Sequence, residues 1–224
     1  MCFGISSSAQ HIVNERFVHQ IESLSPFSII KIYGAAEVWL TQSFEPAVMV
    51  AADDGMSLKK INANVLENTL VVSTKGSKDG FNPRIYIGFK YLNELLIDGA
   101  SQLHIVGSIR LADLTIYLSG AAAVDGPIFV ENFNTSITGA GWLNITGTTK
   151  KTNIKTSGAA KFSGKDFTAD EGKIVATGAS KVFVSVKNDI DVIAEGAARV
   201  YFYGKDAVLT KSVSGAAGVE FKKD

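Results

Sequence analysis

SGAAKF, residues 157–162, belongs to a series. DGASQL (98–103), SGAAAV (119–124) and TGAGWL (138–143) precede it, and TGASKV (177–182), EGAARV (195–200) and SGAAGV (214–219) follow it. An eighth copy, YGAAEV (33–38), lies well upstream. The consecutive glycines, Gly99, Gly120, Gly139, Gly158, Gly178, Gly196 and Gly215, are spaced by 21, 19, 19, 20, 18 and 19 residues. Self-similarity at a fixed period marks a repeat architecture, in which each unit covers the apolar side of the next.

The columns around the glycine give the local structure. Four residues after it stand Leu103, Val124, Leu143, Phe162, Val182, Val200 and Val219, all apolar. Six after stand Ile105, Gly126, Ile145, Gly164, Val184, Phe202 and Phe221, and the position between is mostly polar, as in His104, Asp125, Asn144 and Ser163. Alternation at period two is a strand with one face in and one face out. A second strand precedes the glycine: two before it come Ile97, Leu118, Ile137, Thr156, Ala176, Ala194 and Val213, and four before it Leu95, Ile116, Thr135, Ile154, Ile174, Val192 and Lys211.

Each repeat is therefore a strand, a Gly-Ala corner and a strand. No helix of ordinary length fits between corners, so each repeat is one coil and like positions stack on like, about 4.8 Å apart, as parallel strands. Each stacked aliphatic contributes roughly 1.5–3 kcal/mol when fully buried. The expected fold is all-β, a right-handed parallel β-helix of about ten coils, on the order of 50 Å long. Glycine takes the positive φ of a sharp corner. The alanine after it is read as pointing into the crowded inside, and the preceding Asp98, Ser119, Thr138, Ser157, Thr177, Glu195 and Ser214 as bonding nearby backbone amides. The gap of 65 residues from Gly34 to Gly99 is close to three periods. Residues 11–92, with strand-like FSIIKIYG, AEVWLTQ, AVMVAA, NTLVVSTK and PRIYIGF, read as less regular coils forming an N-terminal cap of one domain over 11–224, the regular coils filling 93–224; a separate small β-sandwich is the alternative. At the other end, the charges of FKKD are expected to protect an open edge.

Bulk properties exclude several classes. The 224 residues carry 22 basic and 22 acidic side chains, so no surplus of positive charge supports nucleic-acid binding. Residues 1–149 are net −4 and residues 150–224 net +4, which reads as ordinary solvated surface. Cys2 is the single cysteine, so no internal disulfide forms. His11, His19 and His104 have no metal-ligand spacing, and no cofactor is implied. No apolar run is long enough for a transmembrane helix. In residues 1–10, MCFGISSSAQ, small residues at Ser7 and Ala9 follow a short apolar piece, which reads as the tail of a signal peptide and so as export, to the periplasm, the outer surface or the medium; a lipid anchor on Cys2 is the alternative.

The serial SGA(S/A)xV corners, with FSIIKIYGAAEVWLTQS, NTLVVSTK and YLNELLIDGAS in that order upstream, resemble the putative auto-transporter adhesin family with a head GIN domain. The resemblance runs from about Phe17 to Phe221. It implies a right-handed β-helix, placement in the envelope or at the cell surface, and an adhesin role without agreed catalytic residues. TGAGWL and SGAAGV depart from the usual small-plus-polar pattern.

Three functions are weighed. A rigid rod with long flat faces suits a binding module for a carbohydrate or protein ligand. Its candidate contacts are the outward aromatics Trp39, Trp142, Phe183, Tyr201 and Tyr203, whose alternative role is to cover neighbouring strands. A polysaccharide-cleaving enzyme rests on fold analogy. It would need acids clustered on adjacent coils, and the best column, Asp113, Asn132, Lys151, Glu171 and Asp189, is read as having no adjacent acids. A structural envelope component would use the open solenoid ends to form a homo-oligomer.

Overall fold

The computed structural model describes residues 17–21, 24–52, 61–74, 83–204 and 207–223. Residues 1–10, on which the export reading and the Cys2 alternative rest, lie outside them. The fold is an all-β parallel solenoid, as the repeat predicts.

Its regular part begins with β8 (Glu94–Gly99) and β9 (Gln102–Val106) and continues through β10 (Ile109–Gly120), β11 (Ala123–Ile137), β12 (Trp142–Thr156), β13 (Lys161–Ala176) and β14 (Lys181–Ala194) to β15 (Arg199–Tyr203), β16 (Val208–Val213) and β17 (Gly218–Phe221). All pair in parallel with their neighbours one repeat away. The predicted columns stack in register: Leu103 on Val124, Val124 on Leu143, Leu143 on Phe162, Phe162 on Val182 and Val182 on Val200. These six side chains are fully buried.

The regular solenoid has seven Gly-Ala coils, not ten. The difference arises upstream, where the chain does not advance monotonically. β2 (Ile29–Gly34) and β3 (Glu37–Gln42) form a coil that sits directly on β8 and β9, with Gly34 opposite Gly99. The 65-residue spacing between these two glycines is thus not three stacked coils. β4 (Ala47–Ala52) turns back antiparallel, and β5 (Asn62–Leu66) and β6 (Thr69–Ser73) form a hairpin. β6 and β7 (Arg84–Phe89) then pair in parallel on the outer side of β2 and β3, and the chain passes over that coil to reach β8. β1 (Phe17–Ile21) adds antiparallel to β4. After β6 no Gly-Ala corner follows. Thr74 closes the exposed turn of the coil below instead: its hydroxyl accepts from the Ala35 amide at 3.0 Å and donates to the Ala35 carbonyl at 2.9 Å.

The coil also has a third, short ladder that the glycine columns do not reveal. Ile109–Leu111 pairs with Ile128–Val130, and Gly147–Thr149 with Phe167–Ala169, so the cross-section has three sides. Ile109, Ile128, Phe167, Ala169 and Val186 point inward there, with Phe133 packed edge-on to Phe167 at 5.2 Å. Repeat-length drift is absorbed around this ladder: register shifts fall between Asn144 and Gly147, between Gly164 and Thr168, and between Ala169 and Glu171. The Gly-Ala corner itself never slips.

At the corner the first small residue faces out. Ala100, Ala121, Ala140, Ala159, Ala179 and Ala197 are exposed, while the residue after each, including Ser101, Ala122, Ala160, Ser180 and Ala198, is buried. The glycine's left-handed φ, +78° at Gly120, turns the chain one residue later than expected. The two threonines before the glycine donate to carbonyls of the coil below, Thr138 to Leu118 and Thr177 to Thr156, each at 3.3 Å, and Ser119 donates to the Asp98 carboxylate, instead of receiving from amides. The last coil leaves its inward columns partly open, with Val213 and Phe221 exposed. Beside them Lys222 pairs with Glu220 at 2.8 Å.

Candidate functional site

The strand after the corner builds a flat ladder whose outward column reads, in register, Tyr86, Trp39, His104, Asp125, Asn144, Ser163, Phe183, Tyr201 and Glu220. Parallel pairing places equivalent side chains one strand spacing apart, close enough for rings to stack. The five aromatics expected on this face fall into two groups. Trp39 lies on Tyr86 with centroids 4.8 Å apart and planes 16° from parallel, and against His104 at 5.9 Å. That indole is partly buried between rings of the two neighbouring strands. His104 continues the ladder: Nδ1 is 2.7 Å from Asp125 Oδ1 and Nε2 is 3.9 Å from Glu37 Oε1.

The other four gather toward the C-terminal coils. Phe183 stacks on Tyr201 at 4.9 Å. Trp142 is 40% exposed, and its indole N–H donates to Ser163 Oγ at 3.3 Å. Lys161, one coil on from Trp142, bridges the group: its Nζ is 5.6 Å from the Trp142 ring and 5.9 Å from Phe183. Lys165 Nζ lies 5.1 Å from Tyr203, and Lys222 Nζ 5.0 Å from Tyr201. A cleft of about 240 Å³ opens among Asn144, Lys161, Lys165, Asp166, Phe183 and Tyr203. It exists because β13 carries residues 165–167 where β14 passes straight from Val184 to Ser185; the extra length bulges and throws Lys165 and Asp166 outward.

Sequence reasoning named the rings and missed the lysines. Their sequence signal is the +4 surplus of residues 150–224, which by composition alone reads as ordinary solvated surface. The tertiary structure distributes that surplus unevenly. Near the third ladder Lys150 pairs with Glu131 at 2.9 Å, Lys151 with Glu171 at 3.3 Å and Lys187 with Asp170 at 2.9 Å. Among the described residues Lys161, Lys165 and Lys181 make no ion pair.

The candidate acid column is largely self-satisfied. Asn132 donates to Asp113 Oδ1 at 2.8 Å, and Lys151 holds Glu171. One expectation needs correction: register sets Glu171 directly beside Asp189, so two acids are adjacent. Both are exposed on an open surface. Among the described residues no group of three His, Cys, Asp or Glu side chains could hold a metal ion, and no helix is long and apolar enough to cross a membrane.

Solved structures share this architecture. A putative adhesin from Bacteroides fragilis superposes with a TM-score of 0.82 at 20% identity, covering 92% of this chain and 95% of that one. A protein from Parabacteroides distasonis named as a putative lipid binding protein follows at TM-score 0.76 and 18% identity, covering 94% and 98%. A putative adhesin from Parabacteroides merdae gives 0.71 and 17%, again covering 94% and 98%. At these identities the likeness concerns the fold. No curated protein sequence matches the chain. The model of the family "putative auto-transporter adhesin, head GIN domain" matches residues 26–205, most of the solenoid just described, and the chain belongs to that family.

Proposed function

We propose that this protein is an exported, non-catalytic binding module of the bacterial envelope or cell surface, and that it takes a carbohydrate or protein ligand on the outer surface of the post-glycine ladder. One observation carries the reading: Phe183 and Tyr203 line a cleft with Lys161 and Lys165, which make no ion pair among the described residues, while Trp142 lies against Lys161 and Tyr201 stacks on Phe183 beside it. Half-exposed rings on rigid strands present large contact area with little ordering cost on binding. Trp39 is assigned to packing. The described strands before β8 serve as the cap, antiparallel β1, β4 and β5 ending the parallel ladders on that side.

Non-catalysis is favoured by the acids themselves. General acid–base work on a glycosidic bond needs one carboxyl tuned by its surroundings and a substrate held between the pair. Glu171 and Asp189 are solvated, and Glu171 is engaged by Lys151. The family description and the small residues near position 9 support export.

The test is binding of the purified chain to immobilised polysaccharides, matrix proteins and envelope fractions. Saturable binding to one class is expected. Trp142→Ala and Tyr203→Ala should each weaken it at least about tenfold, as truncating an anchoring ring does. Silence across the panel, or binding that both variants retain, refutes the assignment of this face.

A further inference from the structure

We infer that the occupant of this face is an acidic polysaccharide, a glycan bearing carboxylate or sulfate groups, laid along the solenoid axis across the coils of Gly139 to Gly196. The inference rests on the binding-face reading and narrows it to a ligand class.

Charge complementarity is the first support. The lysines around the third ladder and those on the post-glycine face are used differently. Around the third ladder each of Lys150, Lys151 and Lys187 is neutralised by an acid on a neighbouring coil. On the post-glycine face Lys161, Lys165 and Lys181 are exposed and make no ion pair among the described residues. An ammonium lying on a ring face is attracted by the ring's quadrupole but keeps its three N–H donors. Those donors suit carboxylate or sulfate oxygens, with which charge-assisted hydrogen bonds are the strong kind. Arg199 is not free in the same way, because its Nη1 donates to the carbonyls of Ala198 and Ala216.

The rings supply the second support. A pyranose presents a flat face of C–H groups, and covering it with an aromatic ring removes both surfaces from water. An acidic peptide would use the lysines and leave the rings idle; a neutral glycan would do the reverse. Lys161 within 6 Å of two rings, and Lys165 beside a third, ask for both features in one molecule. Direction follows from topology. Trp142, Lys161, Phe183 and Tyr201 come from successive coils, so a chain that touches all of them runs perpendicular to the strands. Asp166, the carboxylate lining the cleft, offers an acceptor to sugar hydroxyls.

The experiment compares four immobilised probes: polygalacturonate, dextran sulfate, dextran and polyglutamate. Binding is expected to polygalacturonate or dextran sulfate at least tenfold tighter than to dextran and to polyglutamate. It should weaken as salt is raised, since exposed charges are screened over about 10 Å at 0.1 M and about 3 Å at 1 M. The double variant Lys161→Gln, Lys165→Gln should lose at least tenfold on the acidic glycans, and Trp142→Thr likewise, with circular dichroism unchanged. Dextran binding that equals acidic-glycan binding and depends on Trp142 would overturn the inference while leaving the binding face standing. Preference for polyglutamate, or affinity that survives the double lysine variant, would overturn it as well. Absence of binding to every probe here, with binding to a matrix protein elsewhere, would overturn the glycan class alone.

Discussion

Gly107 and Gly120 have nearly the same φ, +79° and +78°, but opposite surroundings. A Cβ on Gly107 would meet nothing within 4 Å, whereas a Cβ on Gly120 would lie 2.5 Å from the Gly99 carbonyl oxygen. Alanine at either site pays about 1–2 kcal/mol for left-handed backbone, less about 0.4–1 kcal/mol for stiffening the unfolded chain. Gly107→Ala should therefore cost about 0–1.6 kcal/mol. At Gly120 the carbonyl in the way accepts the Ala121 amide at 2.8 Å, so the clash is relieved only by opening the ladder. Overpacking of that kind adds about 1–3 kcal/mol, for a total of about 1–4.6 kcal/mol. Urea unfolding followed by tryptophan fluorescence is the assay, because Trp142 stands in register with Ala123, beside the altered corner. At a common slope the midpoints convert to the difference. Equal losses at the two sites, or a larger loss at Gly107, would refute the claim that corner glycines are required by the coil below and not by backbone conformation alone.

Two more outcomes follow from the coordinates. Thr156 donates to Ser180 Oγ at 2.9 Å inside the solenoid, where both residues are buried. Ser180→Ala should cost about 1–3 kcal/mol by stranding the threonine hydroxyl, and adding Thr156→Val should recover most of it; a double variant no better than the single one would refute this, with melting as the readout. Glu220 and Lys222 are exposed, but the Lys222 ammonium bonded to the Glu220 carboxylate lowers the glutamate's pKa and raises the lysine's. The pair's small contribution is thus lost on acidification through the lowered glutamate value and, at the other end, as pH rises through the raised lysine value. Lys222→Met should move the Glu220 carboxyl titration, followed by NMR, upward toward its ordinary position; an unmoved curve would count against the pairing.

The legible parts of the fold were those written in local periodicity. Leu103, Val124, Leu143, Phe162, Val182 and Val200 could be assigned inward because alternation and a glycine anchor fix their phase. The third ladder was hidden, since Phe167 and Ile128 sit at varying distances from their glycines and the register shifts blur their column. The reversal at residues 47–73 was hidden because AVMVAA and NTLVVSTK alternate equally well in antiparallel and parallel pairs. At the candidate site the rings were visible as outward aromatics. What distinguished Trp39 from Trp142 was a neighbour: Tyr86 stacks on the one, and a lysine-lined cleft adjoins the other.

By itself, then, the sequence determined that this chain is a stack of Gly-Ala-cornered coils belonging to a family of such solenoids. Strand alternation and left-handed glycine are properties of a few consecutive residues. Only the tertiary structure decided that Gly34 rests on Gly99, that the extra residues of β13 put Lys165 and Asp166 at a cleft, and that the lysines near one ladder are neutralised while, among the described residues, Lys161, Lys165 and Lys181 make no ion pair. Those facts depend on which residues, separated by a full repeat or more, come into lateral register. Register is set by where each coil absorbs its extra length, a balance struck across the whole stack.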